Sequence, residues 1–346
     1  MTVDFSRWAV VAFNDDTGLG RMAQDIKSVL GVRQVVIPSD RLATKPLAPG
    51  DVLLGPESTE SEIVSILTAL QGLILLERID WHPQLLPLCQ RMGLKVAAVP
   101  MWEWFRGSDS NWSLVDMILC PSEFCRNVVQ SYGWKRAQKL TWALDLARFP
   151  ARQVQGPARI FFHNAGLVDH DDRKGTRDCI LAFRHLARHD VRLIVRMQKD
   201  APLPPLDDRI EVRVGNLDCP ASLYANGDVA VQPSKMEGLG FMVLEPVCCG
   251  VPTITTDYPP MNDHVVQPQL RVRKRWFKRS CFPARAARIE HAHLRLPCRR
   301  DLTRRMLWCA EHDLTNASLE NRRHAELLFN RARLRDEWSQ TLGCLL

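Results

Sequence analysis

The hydrophobic positions of this chain form short continuous runs, separated by stretches in which apolar residues recur at roughly every third or fourth position. Trp8 to Phe13, Gln34 to Ile37, Val52 to Leu54, Leu73 to Leu76, Lys95 to Val99, Met117 to Cys120 and Leu140 to Leu144 read as strands. Between them, Glu62 to Leu70 carries Ile63, Ile66, Leu67 and Leu70 on one helical face, and Glu123 to Tyr132 is periodic in the same way. Strands that are apolar throughout, alternating with helices, predict a parallel sheet covered on both faces.

The pattern then begins again. Arg159 to Phe162, Arg192 to Val195, Ile210 to Val214, Val229 to Gln232 and Thr253 to Thr255 read as strands, with Lys174 to Arg188 and Cys219 to Asn226 as helices. The stretch from Asp145 to Pro157 is polar and rich in helix breakers, which suggests a linker. The expected fold is therefore α/β, with two Rossmann-like doubly wound parallel-sheet domains, 1–148 and 149–330. Ligands of such sheets bind beyond the carboxyl ends of the strands, so the site is expected in a cleft between the domains. Beyond Tyr258, Leu302 to Glu311 and Leu319 to Trp338 read as helices, with Leu327, Leu328, Leu334 and Trp338 on a buried stripe. The final segment, 331–346, is read as a helix that crosses back to the first domain.

Composition narrows the class. With 346 residues, 46% of them hydrophobic, the chain can build two ordinary cores and is not a disordered or fibrous protein. No apolar run reaches the roughly 20 residues of a membrane span, and Trp8 to Phe13 is too short for a signal peptide. The eleven cysteines form no C-x-x-C pair and read as buried thiols of a reducing compartment. A cytoplasmic protein is expected. Its charge is uneven: residues 271–305 hold thirteen Arg and Lys against Glu290 and Asp301, a surplus of +11 within an overall +7. Such a patch suits an anionic membrane face, a phosphorylated substrate or nucleic acid, or is a solvated surface with Arg stems lying over apolar neighbours.

The stretch from Val229 to Thr256 concentrates the candidate chemistry. It reads as a strand, a loop with Gly238 and Gly240, a short helix ending at Gly250, and a strand. The glycines let backbone approach a ligand, and the following helix start offers unpaired N–H groups and about half a unit of positive charge, a setting for a pyrophosphate. Because proline inside a helix costs about 3 kcal/mol, Pro246 places the expected helix start no earlier than about Val243. Glu237 in the loop can accept from sugar hydroxyls, and Glu245, in the first turn, from ribose hydroxyls. Taken alone, these are also an ordinary first-turn acid and a solvated loop acid.

This stretch resembles the E-x7-E signature of retaining glycosyltransferases of family 4, with a strand ending in Pro-Ser, then Glu-Gly-x-Gly, then a helix closed by Cys-Gly-x-Pro. Tyr224-Ala-Asn-Gly-Asp228, Arg173-Lys174-Gly175 after Phe162, Val115 to Glu123, and Ala143-Leu-Asp145 followed by Phe149 resemble further stations of that family in the same order. The resemblance implies a GT-B fold and a metal-independent, retaining transfer from a nucleotide-diphosphate sugar, with no cofactor. It also assigns roles. Lys174 would neutralise the leaving diphosphate, Glu237 would hold the donor sugar and Glu245 the ribose. Gly238, Leu239, Gly240, Phe241, Met242 and Val243 would complete the donor site together with Gly166, Arg173 and Arg196. Thr17, Gly18, Leu19 and Gly20 resemble the glycine loop that faces the diphosphate and the acceptor. The chain departs from the family at Leu167, where an Arg usually follows Gly166, and at Val99 to Trp104, where a His is common. In that second stretch Trp102, Glu103 and Trp104 are candidates for the acceptor, a carbohydrate or a lipid-linked hydroxyl, and equally a packed surface.

Asp169-His170-Asp171 has the spacing of a metal-binding D-x-D pair, but it lies in a charge-rich loop. Cys281, His291, His293 and Cys298 match no common zinc spacing. No metal is expected. A sugar-nucleotide epimerase or a phosphorylase on the same frame is an alternative, and a nucleic-acid-binding protein using 271–305 is another. The latter lacks interleaved aromatics, having Trp276, Phe277 and Phe282 clustered together.

Overall fold

The computed structural model describes residues 3–39, 42–168, 171–217, 220–280 and 293–346. The chain divides into two compact units, Met1–Asp145 with Phe329–Leu346, and Leu146–Leu328.

In the first unit, strands β1 (Trp8–Phe13), β2 (Arg33–Ile37), β3 (Val52–Leu53), β4 (Gly72–Glu77), β5 (Lys95–Pro100), β6 (Met117–Cys120) and β7 (Ala137–Lys139) form one parallel sheet of order β3-β2-β1-β4-β5-β6-β7. The central strands are buried on both faces, which is why they read as unbroken apolar runs. Helices α1 (Gly18–Leu30), α2 (Glu60–Thr68), α3 (Leu85–Met92) and α4 (Glu123–Ser131) connect them. Three of these starts are spelled out locally. The side chains of Thr17, Thr59 and Ser122 each accept a backbone N–H of the first turn, and Thr59 with Glu62 completes a capping box.

The second unit carries β8 (Ile160–Gly166), β9 (Arg192–Met197), β10 (Ile210–Val214), β11 (Val229–Gln232), β12 (Thr253–Thr256) and β13 (Arg271–Val272) in a parallel sheet of order β10-β9-β8-β11-β12-β13. Helices α5 (Thr176–Arg184), α6 (Phe241–Cys248), α7 (Arg299–Glu311) and α8 (Thr315–Leu328) accompany it. The core gathers Phe161, Phe183, Leu193, Val229, Val243 and Ile254. An antiparallel ribbon pairs β14 (Lys274–Ser280) with β15 (His293–Pro297). Both parallel sheets are doubly wound, and strand order reverses between β1 and β4 in one and between β8 and β11 in the other, the points where such sheets take ligands. Among the described residues no helix is long and apolar enough to cross a membrane.

Three expectations are corrected. Leu140 to Leu144 is not a strand, although Leu140, Trp142, Ala143 and Leu144 are buried. The backbone of Thr141 is taken by α9 (Arg331–Gly343), its N–H by Glu337 and its carbonyl by the Trp338 indole, both at 2.9 Å. The ladder continues instead through β7. The single helix expected over Leu319 to Trp338 is two, because the Asn330 side chain accepts the Arg333 N–H and starts α9 afresh. Leu327 is exposed, so the buried stripe belongs to Leu334 and Trp338 on α9. The stretch read as a linker contains the division between the units at Asp145 and Leu146, and after Pro150 it is fastened to the second unit: Arg152 donates to the Cys249 carbonyl, Val154 to Ser318 and Ala158 to the Cys309 carbonyl. Within the first unit, α9 lies against α1, and Arg335 donates to the carbonyls of Val29 and Leu30 at that helix's end.

Candidate functional site

The loop from Pro233 to Gly240 leaves the carboxyl end of β11 and runs into α6. That helix starts at Phe241, two residues earlier than Pro246 suggested, with Gly240 in the left-handed conformation as its N-cap. Val243 and Leu244 both donate to the Gly240 carbonyl, so the amides of Phe241 and Met242 come before the helix's own hydrogen bonds. Pro246 is then the sixth residue and Glu245 the fifth, which places Glu245 beyond the first turn. The early start is tolerated because a proline there removes a single intrahelical bond from a helix of only eight residues. Gly238 and Leu239 are buried, and His264 Nε2 donates to the Leu239 carbonyl at 2.5 Å.

Glu237 and Lys174 meet. The Lys174 ammonium donates to both carboxylate oxygens at 2.8 and 2.7 Å, across 63 positions of sequence. Burial alone pushes the Glu237 carboxyl up, but the Lys174 ammonium and then the Arg173 guanidinium reverse this and hold it below its ordinary range. Several contacts keep this pair in place. Asp172 accepts the N–H groups of Thr176 and Arg177, capping α5. Lys235 Nζ reaches Asp172 at 2.9 Å and Asp178 at 3.1 Å, and its N–H donates to the Arg173 carbonyl. The helix expected from Lys174 therefore begins only at Thr176, and Lys174 lies just before its glycine N-cap, Gly175.

Around this pair the carboxyl ends of the second sheet are polar. In register across it stand Arg196 of β9, paired with Asn164 of β8, and Gln232 of β11, paired with Thr255. Asn164 and Gln232 flank the reversal of strand order and are buried, and no side-chain amide atom of either has a partner among the described residues. An unpaired buried amide costs about 1–3 kcal/mol until something satisfies it, which marks this edge as ready for a polar ligand. Gly166 ends β8, and Leu167, where the resemblance led to an Arg being expected, is exposed. Glu245 is buried, and the Tyr224 hydroxyl donates to its Oε2. Asn164, Gln232, Asp172 and Lys235 were not singled out in the sequence. Polar residues at the ends of apolar strands were the signal available for the first two.

His163 lies beneath this edge, with Nδ1 donating to the Val231 carbonyl at 2.7 Å and Nε2 at 2.9 Å from the Thr176 hydroxyl. Burial, outweighing these contacts, pushes its pKa from 6.5 down to about 4. The folded protein thus keeps the ring neutral where the unfolded chain protonates it. The resulting cost to the fold is absent above pH 6.5 and grows to about 3 kcal/mol as pH falls towards 4. Urea unfolding across that window will show stability rising with pH, and the His163→Gln protein will show a flatter slope. Equal slopes would place the ring's titration elsewhere.

In the first unit the candidates separate. Thr17, Gly18, Leu19 and Gly20 are not an open loop but the cap and first turn of α1. Asp15 binds the Thr17 N–H and hydroxyl, and a Cβ on Gly20 would lie 2.3 Å from the Asp15 carbonyl. This glycine permits close backbone packing. Trp102 is wholly buried with its ring edge-on to Phe124 at 4.9 Å, so it is a core residue with no face for a sugar. Glu103 is buried, whereas Trp104 is partly exposed. Asp169 and His170, and Cys281 and His291, lie outside the described residues. Among the described residues no cluster of His, Cys, Asp and Glu could hold a metal ion.

Residues 213–284 match the family model of glycosyl transferases group 1, a span that includes the loop with Glu237 and all of α6. No curated protein matches the chain. Among solved structures the chain is similar to Anabaena HepE in complex with UDP and glucose, with a TM-score of 0.68 and 11% identity over 97% of this chain and 99% of that one. It is also similar to the lipopolysaccharide outer core galactosyltransferase WaaB in its apo form, at TM-score 0.59 and 12% identity over 98% and 99%. The sucrose-phosphate synthase of Thermosynechococcus elongatus follows at 0.52 and 12%, over 93% and 99%. These likenesses establish a GT-B fold of two parallel-sheet α/β units.

Proposed function

We propose that the second unit binds a nucleotide-diphosphate sugar and that the protein transfers this sugar to a hydroxyl acceptor, with retention and without a metal. The observation that carries the reading is the Lys174–Glu237 pair at the carboxyl edge of the second sheet, beside the start of α6. Cleaving a glycosyl–phosphate bond leaves negative charge on phosphate, and fixed positive groups aimed there lower the barrier. Lys174 would exchange Glu237 for diphosphate oxygens, the amides of Phe241 and Met242 would add donors, and Glu237 would turn to the sugar hydroxyls. Glu245, oriented by Tyr224, would take the ribose. A diphosphate oxygen can accept the acceptor's proton, so no protein nucleophile is needed. The family match over 213–284 supports this, and HepE, crystallised with UDP and with UDP-glucose, makes UDP the first nucleotide to try.

The test is a melting screen with UDP, GDP, ADP and their sugars. A true donor at 100 times its Kd should stabilise the fold by about 2.7 kcal/mol. Turnover with that donor should persist in EDTA. If no nucleotide raises the melting temperature, the donor site is misassigned, and loss of turnover in EDTA would overturn metal independence.

A further inference from the structure

We propose that the ribbon of β14 and β15 is the surface by which this protein docks on an anionic lipid bilayer. Trp276 is 92% exposed and its neighbour Phe277 40%, a pair of large apolar rings in water, edge to face at 5.7 Å. The strand that carries them contains no acidic residue and reads Lys274-Arg275-Trp276-Phe277-Lys278-Arg279-Ser280. Arg275 lies over the Phe277 ring at 5.9 Å, and Arg273, just before the strand, is 67% exposed at its side chain while its Nε lies 3.8 Å from the buried Asp301 carboxylate.

The ribbon is fastened to the rest of the second unit at several points. Leu294 is fully buried, the Arg295 N–H donates to the Lys235 carbonyl at 2.8 Å, and the Arg295 guanidinium covers the Tyr258 ring. Arg279 donates to the Asp171 carbonyl at 3.1 Å, and the Cys298 N–H donates to the Arg273 carbonyl at 2.8 Å. Fastened at these points, the ribbon presents Trp276 to solvent on a fixed base. A two-stranded ribbon would otherwise be marginal in water.

The chemistry of the exposed side selects the occupant. Tryptophan settles at the headgroup level of a bilayer, where the apolar ring and the N–H are both satisfied, and cations beside it meet lipid phosphates. Each such cation near an anionic surface strengthens binding by roughly fivefold, within a Debye length. Single-stranded nucleic acid asks for rings spaced along a groove, one for each base, whereas Trp276 and Phe277 occupy one spot. The ribbon's anchors, Asp171 and Lys235, belong to the two loops that carry Lys174 and Glu237. On the donor-site reading above, docking would therefore hold that site near the lipid surface, where a lipid-linked acceptor is found.

The full chain is to be co-sedimented with vesicles of phosphatidylcholine and with equimolar phosphatidylcholine and phosphatidylglycerol. Binding should favour the anionic vesicles by tenfold or more and weaken with salt. Trp276→Ser should lower it by about tenfold, as losing roughly 1.4 kcal/mol of burial implies, and Arg275→Glu should also lower it. Neither variant should change the melting temperature or the response to nucleotide, so this result is separable from the donor-site reading. Equal partition to both vesicles, or unchanged binding by Trp276→Ser, overturns the proposal. So does a Trp276-dependent complex with RNA, or a Trp276-dependent dimer in sedimentation without vesicles, since each names a different occupant.

Discussion

Lys174→Ala is expected to lower kcat/KM for sugar transfer by about 100- to 1,000-fold, the usual cost of removing one preorganised group that stabilises transition-state charge. The geometry adds a second consequence. Glu237 is almost fully buried, and its ionised form depends first on Lys174. Removing the ammonium leaves a desolvated carboxylate, and breaking a buried pair in this way costs about 3–5 kcal/mol at most. The partial exposure of Lys174 and the nearby Arg173 place this case towards or below the lower end. In the wild type the depressed pKa of Glu237 means that the pair stabilises the fold above the ordinary carboxylate range. That contribution is lost as pH falls through the folded value. The variant should lose this acid-side dependence. Adding Glu237→Gln to Lys174→Ala should return much of the stability and none of the turnover, which separates a chemical role from a structural one. Steady-state kinetics with urea unfolding checks both arms, and full turnover in Lys174→Ala would show that the diphosphate lies elsewhere.

Gly175→Ala should be among the most damaging added methyls in the second unit. Gly175 has φ of +74°, and an added Cβ would lie 2.3 Å from the Pro233 carbonyl oxygen, a backbone atom with no rotamer to yield. Overpacking of this kind, together with left-handed strain, costs about 3–5 kcal/mol in all, or roughly 10 °C of melting temperature for a unit of this size. Gly175 lies between Lys174 and α5, so whatever relaxation the chain finds must shift the lysine away from Glu237, and nucleotide binding should weaken with stability. A melting temperature within a degree or two of wild type would show that the segment 172–175 is not clamped against 233–235.

The contrast between what could be read along the chain and what could not follows interaction range. The central apolar runs became strands, because two-sided burial leaves its mark in consecutive residues. The helix start at Glu123 was legible from periodicity, and Ser122 caps it within one turn, whereas the helix read from Glu62 starts two residues earlier behind Thr59. Pro246 misled because the penalty for an interior proline is an average, and a helix this short gives up only one bond. Trp102 was offered as a sugar platform because an aromatic after a strand looks the same in sequence whether it stands in solvent or packs perpendicular to Phe124 in the core. Leu140 to Leu144 had a strand's composition but lost its ladder to Glu337 and Trp338, almost two hundred positions away.

From its amino-acid order alone, this protein specified two successive α/β units, the glycine-bearing loop ahead of a short helix, and the acids and lysine worth watching. Those features rest on periodicity, capping and turn chemistry, which act over a few residues. Only the folded chain decided that Lys174 closes on Glu237 across 63 positions, that Asp172 and Lys235 lock the segments holding them, and that Asn164 and Gln232 lie buried on the two adjacent strands between which strand order reverses. Such meetings depend on which strand lies next to which. Strand neighbourhood is set by burying whole faces of the sheet together, a quantity that no short window of sequence contains.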